Sequence, residues 1–108
     1  MPNILKRIRA RAFRHQNGCC IYCDKPMWLI DPADFATKQN ITFKQARRFQ
    51  CTAEHLWARK NGGSDVAANI AAACLHCNQR RHMRKAQLTP EQYKCHVQKK
   101  LSRGGWQL

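Results

Sequence analysis

The fold of this 108-residue chain is built around Cys51 to His82, which read CTAEHLWARKNGGSDVAANIAAACLHCNQRRH. It begins with a β-favouring segment that ends in Glu54-His55, and it turns at Asn61-Gly62-Gly63, residues with the chemistry of tight turns. It closes on a Cys-x-x-Cys pair formed by Cys74 and Cys77. Carboxylate, imidazole and thiol groups are therefore concentrated in one short stretch, and this concentration predicts a metal site.

The chain carries a large excess of positive charge. Twenty lysines and arginines stand against six aspartates and glutamates, which gives a formal net charge of +14. Such an excess repels itself, and a polyanionic partner is the usual reason for it, because each phosphate that a cation contacts releases condensed counterions. We therefore expect a nucleic acid partner. The alternative is a solvated basic surface or a membrane-surface patch.

Length and hydropathy narrow the class of protein further. No apolar run approaches the roughly 18 residues that a membrane span requires. The basic N-terminus has no uninterrupted apolar core and no cleavage site behind it, so we see no signal peptide and expect a cytoplasmic protein. The length suits one domain with a modest core, and we expect a single domain over residues 1–108.

Four of the seven cysteines form two Cys-x-x-Cys pairs, Cys20 with Cys23 and Cys74 with Cys77. In a reducing compartment this arrangement binds metal more often than it forms disulfides. Four thiolates suit tetrahedral zinc, and a closed shell of four cysteines leaves no coordination position for chemistry. We therefore predict a structural Zn²⁺, with disulfides or free thiols as alternatives. The remaining cysteines are assigned to packing or to free thiols: Cys19, Cys51 and Cys95.

Periodicity and capping signals predict helices on both sides of the central stretch. Apolar residues at three- and four-residue spacing, interleaved with arginines and a lysine, predict a basic amphipathic helix over about residues 3–16. Thr42 and Gln45 have the form of a capping box, so we expect a short helix that runs to about Arg48. Thr89-Pro90 marks the start of a C-terminal helix over about residues 90–101.

The central stretch itself reads as a strand followed by helical signals. Residues 50–57 are consistent with a strand. Helix signals resume near Asn69, and residues 79–85 are predicted to be a helix with a heavily basic face.

The residues beyond the second thiol pair complete a candidate ligand set. If residues 78–82 are helical, Asn78 and His82 share one face one turn apart, and both can approach a metal held in common with Glu54. Glu54 and His55 are neighbours on the preceding strand, so their side chains point to opposite sides. That divergence suits two different roles, in which one residue binds the ion and the other meets the water.

These motifs resemble the HNH endonucleases, which carry a ββα-metal motif. The resemblance covers about residues 17–82 and is carried by the following residues: Cys20-Ile21-Tyr22-Cys23, Glu54-His55, Asn61-Gly62-Gly63-Ser64-Asp65, Asn69-Ile70 and Cys74-Leu75-His76-Cys77-Asn78. It implies an α+β fold, a small zinc-stapled domain with a ββα-metal core over about residues 17–85 and flanking helices.

The resemblance also implies roles for individual residues. His55 is expected to be the general base that takes a proton from the attacking water, and Asn69 the central asparagine that holds the motif loop and helps to orient that histidine. Glu54, Asn78 and His82 are expected to hold the catalytic divalent ion. Glutamate at 54, where the family usually has aspartate or histidine, and asparagine at 78, often histidine in the family, leave its identity open among Mg²⁺, Mn²⁺, Ni²⁺ and other transition ions.

The chemistry of phosphodiester hydrolysis is consistent with these residues. The reaction needs an activated water and stabilisation of charge on the phosphate and the leaving oxygen, and an imidazole titrates in the range where it can deprotonate water. Resemblance to the family implies 5′-phosphate and 3′-hydroxyl ends. Six cations that flank these groups are expected to contact phosphates: Arg59, Lys60, Arg80, Arg81, Arg84 and Lys85.

The leading hypothesis is therefore a small metal-dependent endonuclease that nicks or cuts duplex DNA, with no membrane contact and with targeting that a larger protein partner could supply. The alternative is a non-catalytic zinc-stabilised DNA-binding module of the same fold. An RNA-directed nuclease ranks below both, because the sequence contains no aromatic RNA-stacking motif of the RRM type.

Overall fold

The structure is a computed structural model that describes residues 3–106. Its regular elements are five helices and two strands, in the order α1 (Asn3–His15), α2 (Pro32–Gln39), α3 (Phe43–Ala46), β1 (Cys51–His55), β2 (Ile70–Cys74), α4 (Leu75–Met83) and α5 (Pro90–Ser102). Three short 3₁₀ turns lie between them, at Arg47–Phe49, Arg59–Asn61 and Ala67–Asn69.

The centre of the molecule is a two-stranded antiparallel sheet that leads directly into a helix. β1 pairs with β2 in a register that runs from Cys51 opposite Cys74 to His55 opposite Ile70. β2 ends at Cys74 and α4 begins at the next residue, so strand, strand and helix form one ββα unit. The predicted α+β fold class, with a ββα core and flanking helices, is confirmed.

The helix starts follow the sequence signals. Thr42 caps α3 and Thr89 caps α5, each with a reciprocal capping box to the glutamine three residues later. α1 ends before Asn17 and Gly18, both of which have positive φ angles. α1 and α5 thus span Asn3–His15 and Pro90–Ser102, where the sequence predicted helices over about 3–16 and 90–101.

The helix that the sequence predicted from near Asn69 onwards is not observed there. Helix signals do not resume near Asn69, because that residue ends a 3₁₀ turn and Ile70–Cys74 forms strand β2. Alanine favours helices in isolation, but here Ala71, Ala72 and Ala73 pair with β1 and are all buried. Tertiary pairing therefore overrides local propensity at this point.

The flanking segments pack onto the ββα unit through side chains that satisfy backbone groups. The Gln16 amide brackets β2, since its Nε2 donates to Ala72 O at 2.8 Å and its Oε1 accepts from Ala72 N at 2.9 Å. Tyr93 on α5 donates its hydroxyl to Cys77 O at 2.7 Å and packs edge-on against Tyr22 with 4.9 Å between ring centroids. The core therefore draws on both ends of the described chain.

α5 also holds the first cysteine pair in place. Lys94 Nζ donates to Ile21 O at 2.9 Å, and Gln98 Nε2 donates to Tyr22 O at 2.7 Å. Both carbonyls belong to the turn between Cys20 and Cys23.

Among residues 3–106, no helix combines the length and the apolar character that crossing a membrane requires.

Val97 is fully buried on α5, and its packing generates a first prediction. Val97→Ala removes two buried methyl groups and leaves a cavity, so we expect the free energy of unfolding to fall by about 2 kcal/mol. Urea titration of the zinc-loaded protein measures the change. The matched control is Val66→Ala, at a half-exposed loop position, which should change stability by less than about 0.5 kcal/mol. Equal losses in the two variants would contradict the placement of α5 in the core.

Candidate functional site

The two Cys-x-x-Cys pairs meet in space. Their four sulfur atoms all lie within 4.8 Å of one another, and all four side chains are buried: Cys20, Cys23, Cys74 and Cys77. Zinc–sulfur bonds of about 2.3 Å in a tetrahedron place the sulfurs roughly 3.8 Å apart. The separation between Cys23 Sγ and Cys74 Sγ is 3.9 Å. The cluster therefore fits a structural zinc ion, as the sequence predicted.

The surroundings of the cluster favour thiolates. Backbone amides point at sulfur from Tyr22 and Cys74, which donate to Cys20 Sγ at 3.4 and 3.3 Å. The indole Nε1 of Trp106 donates to Cys77 Sγ at 3.3 Å. Such donors stabilise negative charge on sulfur and are the outer-shell contacts that metal ligands require.

The thiols do not ionise equally within this cluster. Hydrogen bonds with Cys20, then with Cys74 and Cys77, hold the pKa of the Cys23 thiol well below its usual range. Hydrogen bonds with Cys20, then with Cys23 and Cys74, raise the pKa of the Cys77 thiol. Four sulfurs this close carry four negative charges only around a cation, so full ionisation and metal binding go together.

The three cysteines outside the cluster have ordinary surroundings. Cys51 is buried, and desolvation raises the pKa of its thiol to about 11, which keeps it neutral. Cys19 is half-buried and Cys95 is exposed on α5. Their distribution matches their assignment to packing or to free thiols.

Glu54 lies at the centre of a second buried polar cluster. Its side chain is fully buried, although it is a carboxylate. One oxygen accepts from the Tyr22 hydroxyl at 2.7 Å and from Arg81 Nη1 at 3.0 Å. The other oxygen lies 2.7 Å from His82 Nε2. Burial of a carboxylate is tolerated only with such partners, so these contacts account for its position.

Arg81 differs from the other cations that were expected to contact phosphates. Its side chain is only 8% exposed, and its guanidinium donates to Glu54 and to the backbone carbonyls of His55, Leu56 and Leu88. A guanidinium engaged in this way supports the end of β1 rather than a phosphate. The phosphate contact expected for Arg81 is therefore corrected. The other five cations are exposed: Arg59, Lys60, Arg80, Arg84 and Lys85.

The structure brings two of the three expected metal ligands together. Glu54 Oε1 and His82 Nε2 are 2.7 Å apart, which is a hydrogen-bond distance. Asn78 lies one turn before His82 on α4, and its Nδ2 donates to Thr52 Oγ1 at 2.9 Å. Carboxylate and imidazole are donor types that bind divalent cations, while the Asn78 amide contacts Thr52 and not the Glu54 side chain.

His55 is the last residue of β1, and a carboxylate orients its ring. His55 Nε2 lies 2.7 Å from Asp65 Oδ1, and the side chain is 14% exposed. Arg59 Nη2 donates to both oxygens of Asp65 at 2.9 Å. These bonds, first that with His55 and then that with Arg59, lower the pKa of Asp65. The stabilisation that Asp65 contributes is therefore present above its usual pKa and is lost as the pH falls through the lowered one.

Asn69 ties the loop between the strands together. Its Oδ1 accepts from Trp57 N at 2.8 Å, and its Nδ2 donates to Trp57 O at 3.1 Å and to Ser64 O at 3.0 Å. The loop that carries Asp65 is thus fixed relative to the residues that follow His55.

Asp65 and Tyr22 have no role that the motifs predict, although composition offers one signal for Asp65. Of the six acidic residues in the chain, only Glu54 and Asp65 lie between Cys51 and His82. Carboxylates this scarce in a strongly basic stretch are natural partners for its histidines and arginines. Tyr22 gave no comparable signal, because its bond to Glu54 spans 32 positions in the chain.

Comparison with known proteins points to the family that the sequence motifs resemble. The model of the HNH endonuclease family matches residues 40–84, which include β1, β2 and α4. No curated protein and no solved structure matches the chain. The resemblance to the HNH endonucleases is confirmed by the family match. It supports a nuclease or DNA-binding function of the HNH type, with DNA as the partner.

The thiol cluster predicts a metal-dependent fold. Cys77→Ser removes one ligand from the shell, so we expect loss of bound zinc and of cooperative thermal unfolding. Cys95→Ser changes an exposed thiol on α5 and should retain one zinc per chain. Zinc content by atomic emission and unfolding by far-UV circular dichroism measure both effects. Retention of one zinc by Cys77→Ser would contradict a four-cysteine site.

The Glu54 cluster predicts a large cost for removing one charge. Glu54→Gln keeps the shape but leaves the Arg81 guanidinium without its counter-charge, so we expect stability to fall by about 3 kcal/mol. Asp24→Asn is the control, because its carboxylate is exposed beside Lys94 and should matter by less than about 1 kcal/mol. Urea denaturation of both zinc-loaded variants compares them. A Glu54→Gln protein as stable as the control would show that this carboxylate is not a structural anchor.

Proposed function

We propose that this protein is a metal-dependent HNH-type endonuclease that hydrolyses phosphodiester bonds in duplex DNA. The observation that carries the proposal is the geometry at the end of β1. There His55 is held by a carboxylate, and the neighbouring residue, Glu54, meets His82 of α4. Hydrolysis of a phosphodiester requires a base and a metal ion, and adjacent residues of β1 offer the base and one metal donor, with a second donor on α4.

His55 acts as the general base through its Nδ1 atom. Asp65 is an ionised carboxylate and accepts hydrogen bonds only, so the nitrogen that faces it, Nε2, carries the proton. The lone pair of the neutral ring is then on Nδ1, which takes a proton from the attacking water. Arg59 keeps Asp65 in place, and the carboxylate stabilises the imidazolium that forms.

Asn69 is a positioning residue. Its three hydrogen bonds fix the loop that carries Asp65 against the chain that follows His55. The orientation of the imidazole therefore depends on an amide that does not itself contact the reacting atoms.

Glu54 and His82 would hold the catalytic divalent ion, with Asn78 as the third ligand after its side chain turns from Thr52. Such an ion supplies stabilisation of the charge that develops on the phosphate and on the 3′ leaving oxygen. Oxygen donors suit Mg²⁺ or Mn²⁺, and the imidazole of His82 also admits Ni²⁺ or another transition ion. Cleavage of this kind leaves 5′-phosphate and 3′-hydroxyl ends.

The exposed cations supply the DNA-binding surface. Arg59 and Lys60 follow His55 on the loop, while Arg80, Arg84 and Lys85 lie on and just after α4. The net charge of +14 attracts the DNA backbone, and these groups contact phosphates without reading the base sequence. A larger protein partner would then supply targeting.

A second candidate function follows from the contacts of Glu54. All of its hydrogen bonds are satisfied by Tyr22, Arg81 and His82 without an ion, as expected of a purely structural group. The same fold would then serve as a zinc-stabilised DNA-binding module without hydrolytic activity. Calorimetric titration of the zinc-loaded protein with Mn²⁺ separates the two functions, because the module binds no second ion.

The base assignment gives a direct test of hydrolysis. His55→Ala removes the group that deprotonates water, so we expect plasmid cleavage in Mg²⁺, Mn²⁺ or Ni²⁺ to slow by about 10²- to 10⁴-fold. His15→Ala is the matched control, because His15 is exposed at the end of α1 and should leave the rate unchanged. Supercoiled plasmid, resolved by gel over time, reports the rate. Equal rates for His55→Ala and the intact protein would exclude the proposed reaction.

A further inference from the structure

Trp57 is exposed beside the proposed catalytic base. It lies two residues after His55, on the loop that follows β1, and 62% of its surface is accessible. Within the described part of the chain its ring makes no aromatic stacking or cation–π contact. Most of the surface of this large aromatic residue is therefore open to solvent at the edge of the site.

The structure holds this ring in one place. Trp57 Nε1 donates to Asn61 O at 2.7 Å, which leaves the indole tethered at its polar edge. The backbone of the same residue is clamped on both sides by Asn69, through Trp57 N and Trp57 O. Gly63 packs so close that a Cβ there would lie 1.7 Å from Trp57 O, so only glycine permits the loop.

One hydrogen bond from the indole, two to the Trp57 backbone and an obligatory glycine thus hold this residue in an exposed position. A tryptophan that served only to fill the core would be turned inward, as Tyr22 and Tyr93 are. Arg59 and Lys60 follow it on the same loop and are exposed, so the surroundings attract phosphate. An aromatic face beside cations is the pair of features with which proteins bind unpaired bases of a nucleic acid strand.

We infer that Trp57 is a stacking platform for an unpaired nucleobase next to the phosphate that is cut. The inference rests on the proposed function and narrows its substrate class. In an intact duplex both faces of a base are covered by its neighbours, so the indole gains a stacking partner only where the strand is locally unpaired. The protein therefore prefers DNA with a single-stranded gap over a fully paired duplex of the same sequence.

The test measures binding to three DNA molecules that share one sequence. The first is fully paired, and the second has a short single-stranded stretch where the opposite strand is missing. The third has the same single-stranded stretch, but the nucleotides in it are abasic. Fluorescence anisotropy of labelled DNA, with zinc-loaded protein and no other divalent ion, gives each Kd. We expect the gapped DNA to bind about 5- to 100-fold more tightly than the paired and the base-free DNA.

Variants assign the preference to one ring. Trp57→Ala should abolish the preference for the gapped DNA, and Trp57→Phe should retain most of it. Phe43→Ala is the matched control, because Phe43 is a similarly exposed aromatic residue, 57% accessible, on α3. It should leave all three Kd values unchanged. Tryptophan fluorescence provides a second readout. The part of the emission that is lost in Trp57→Phe belongs to Trp57, and stacking on a base should quench it when the intact protein binds the gapped DNA.

The outcomes separate this inference from the proposed function. If the intact protein cleaves plasmid DNA but Trp57→Ala keeps the preference for the gap, or if no preference exists, the stacking role is overturned and the nuclease stands. If the intact protein binds none of the three DNA molecules, the proposed function fails and the stacking role fails with it.

Discussion

Four thiols from distant parts of the chain converge, and their convergence fixes how the other elements are placed. Cys20 and Cys23 come from a turn near the N-terminus, and Cys74 and Cys77 lie at the junction of β2 and α4, far along the chain. A small chain has little apolar surface to bury, and a metal ion that joins distant segments compensates for a modest core. Because the second pair lies where strand becomes helix, the cluster also sets the direction in which α4 leaves the sheet.

The Glu54 cluster depends on that direction. α4 carries Arg81 and His82, the turn between the first two cysteines carries Tyr22, and all three reach one carboxylate on β1. The thiol cluster and the Glu54 cluster therefore share the same structural parts. The buried charge in turn holds the end of β1, where His55 precedes the loop, so stability and the candidate site are joined through one strand.

Local signals were sufficient for much of the fold. Capping boxes at Thr42 and Thr89 and the positive-φ residues after α1 describe interactions within a few residues, and the structure shows them. The two cysteine pairs and the order of Glu54, His55 and Asn69 could also be recognised in the sequence, because those motifs are defined by spacing along the chain. Strand β2 was not, since an alanine run becomes a strand only when a partner strand lies beside it.

The site required information that no local pattern contains. Arg81 is one of several arginines in a basic run, and nothing in the run marks it as the one that reaches Glu54, 27 positions away. Asp65 was visible as part of the motif loop, but its contact with His55 depends on a turn fixed by Asn69 and Gly63. The sequence therefore predicts which residues belong to the site more readily than it predicts which of them are in contact.

The two hydrogen bonds between the Gln16 amide and the backbone of Ala72 affect how the protein behaves in concentrated solution. A two-stranded sheet has two open edges, and an unpaired edge can recruit strands from other molecules. Along β2 the carbonyl of Ala72 already accepts from Gln16 and from Ile21 N, while its amide donates to Gln16. A side-chain amide thus occupies the place of a third strand, and it protects this edge against aggregation.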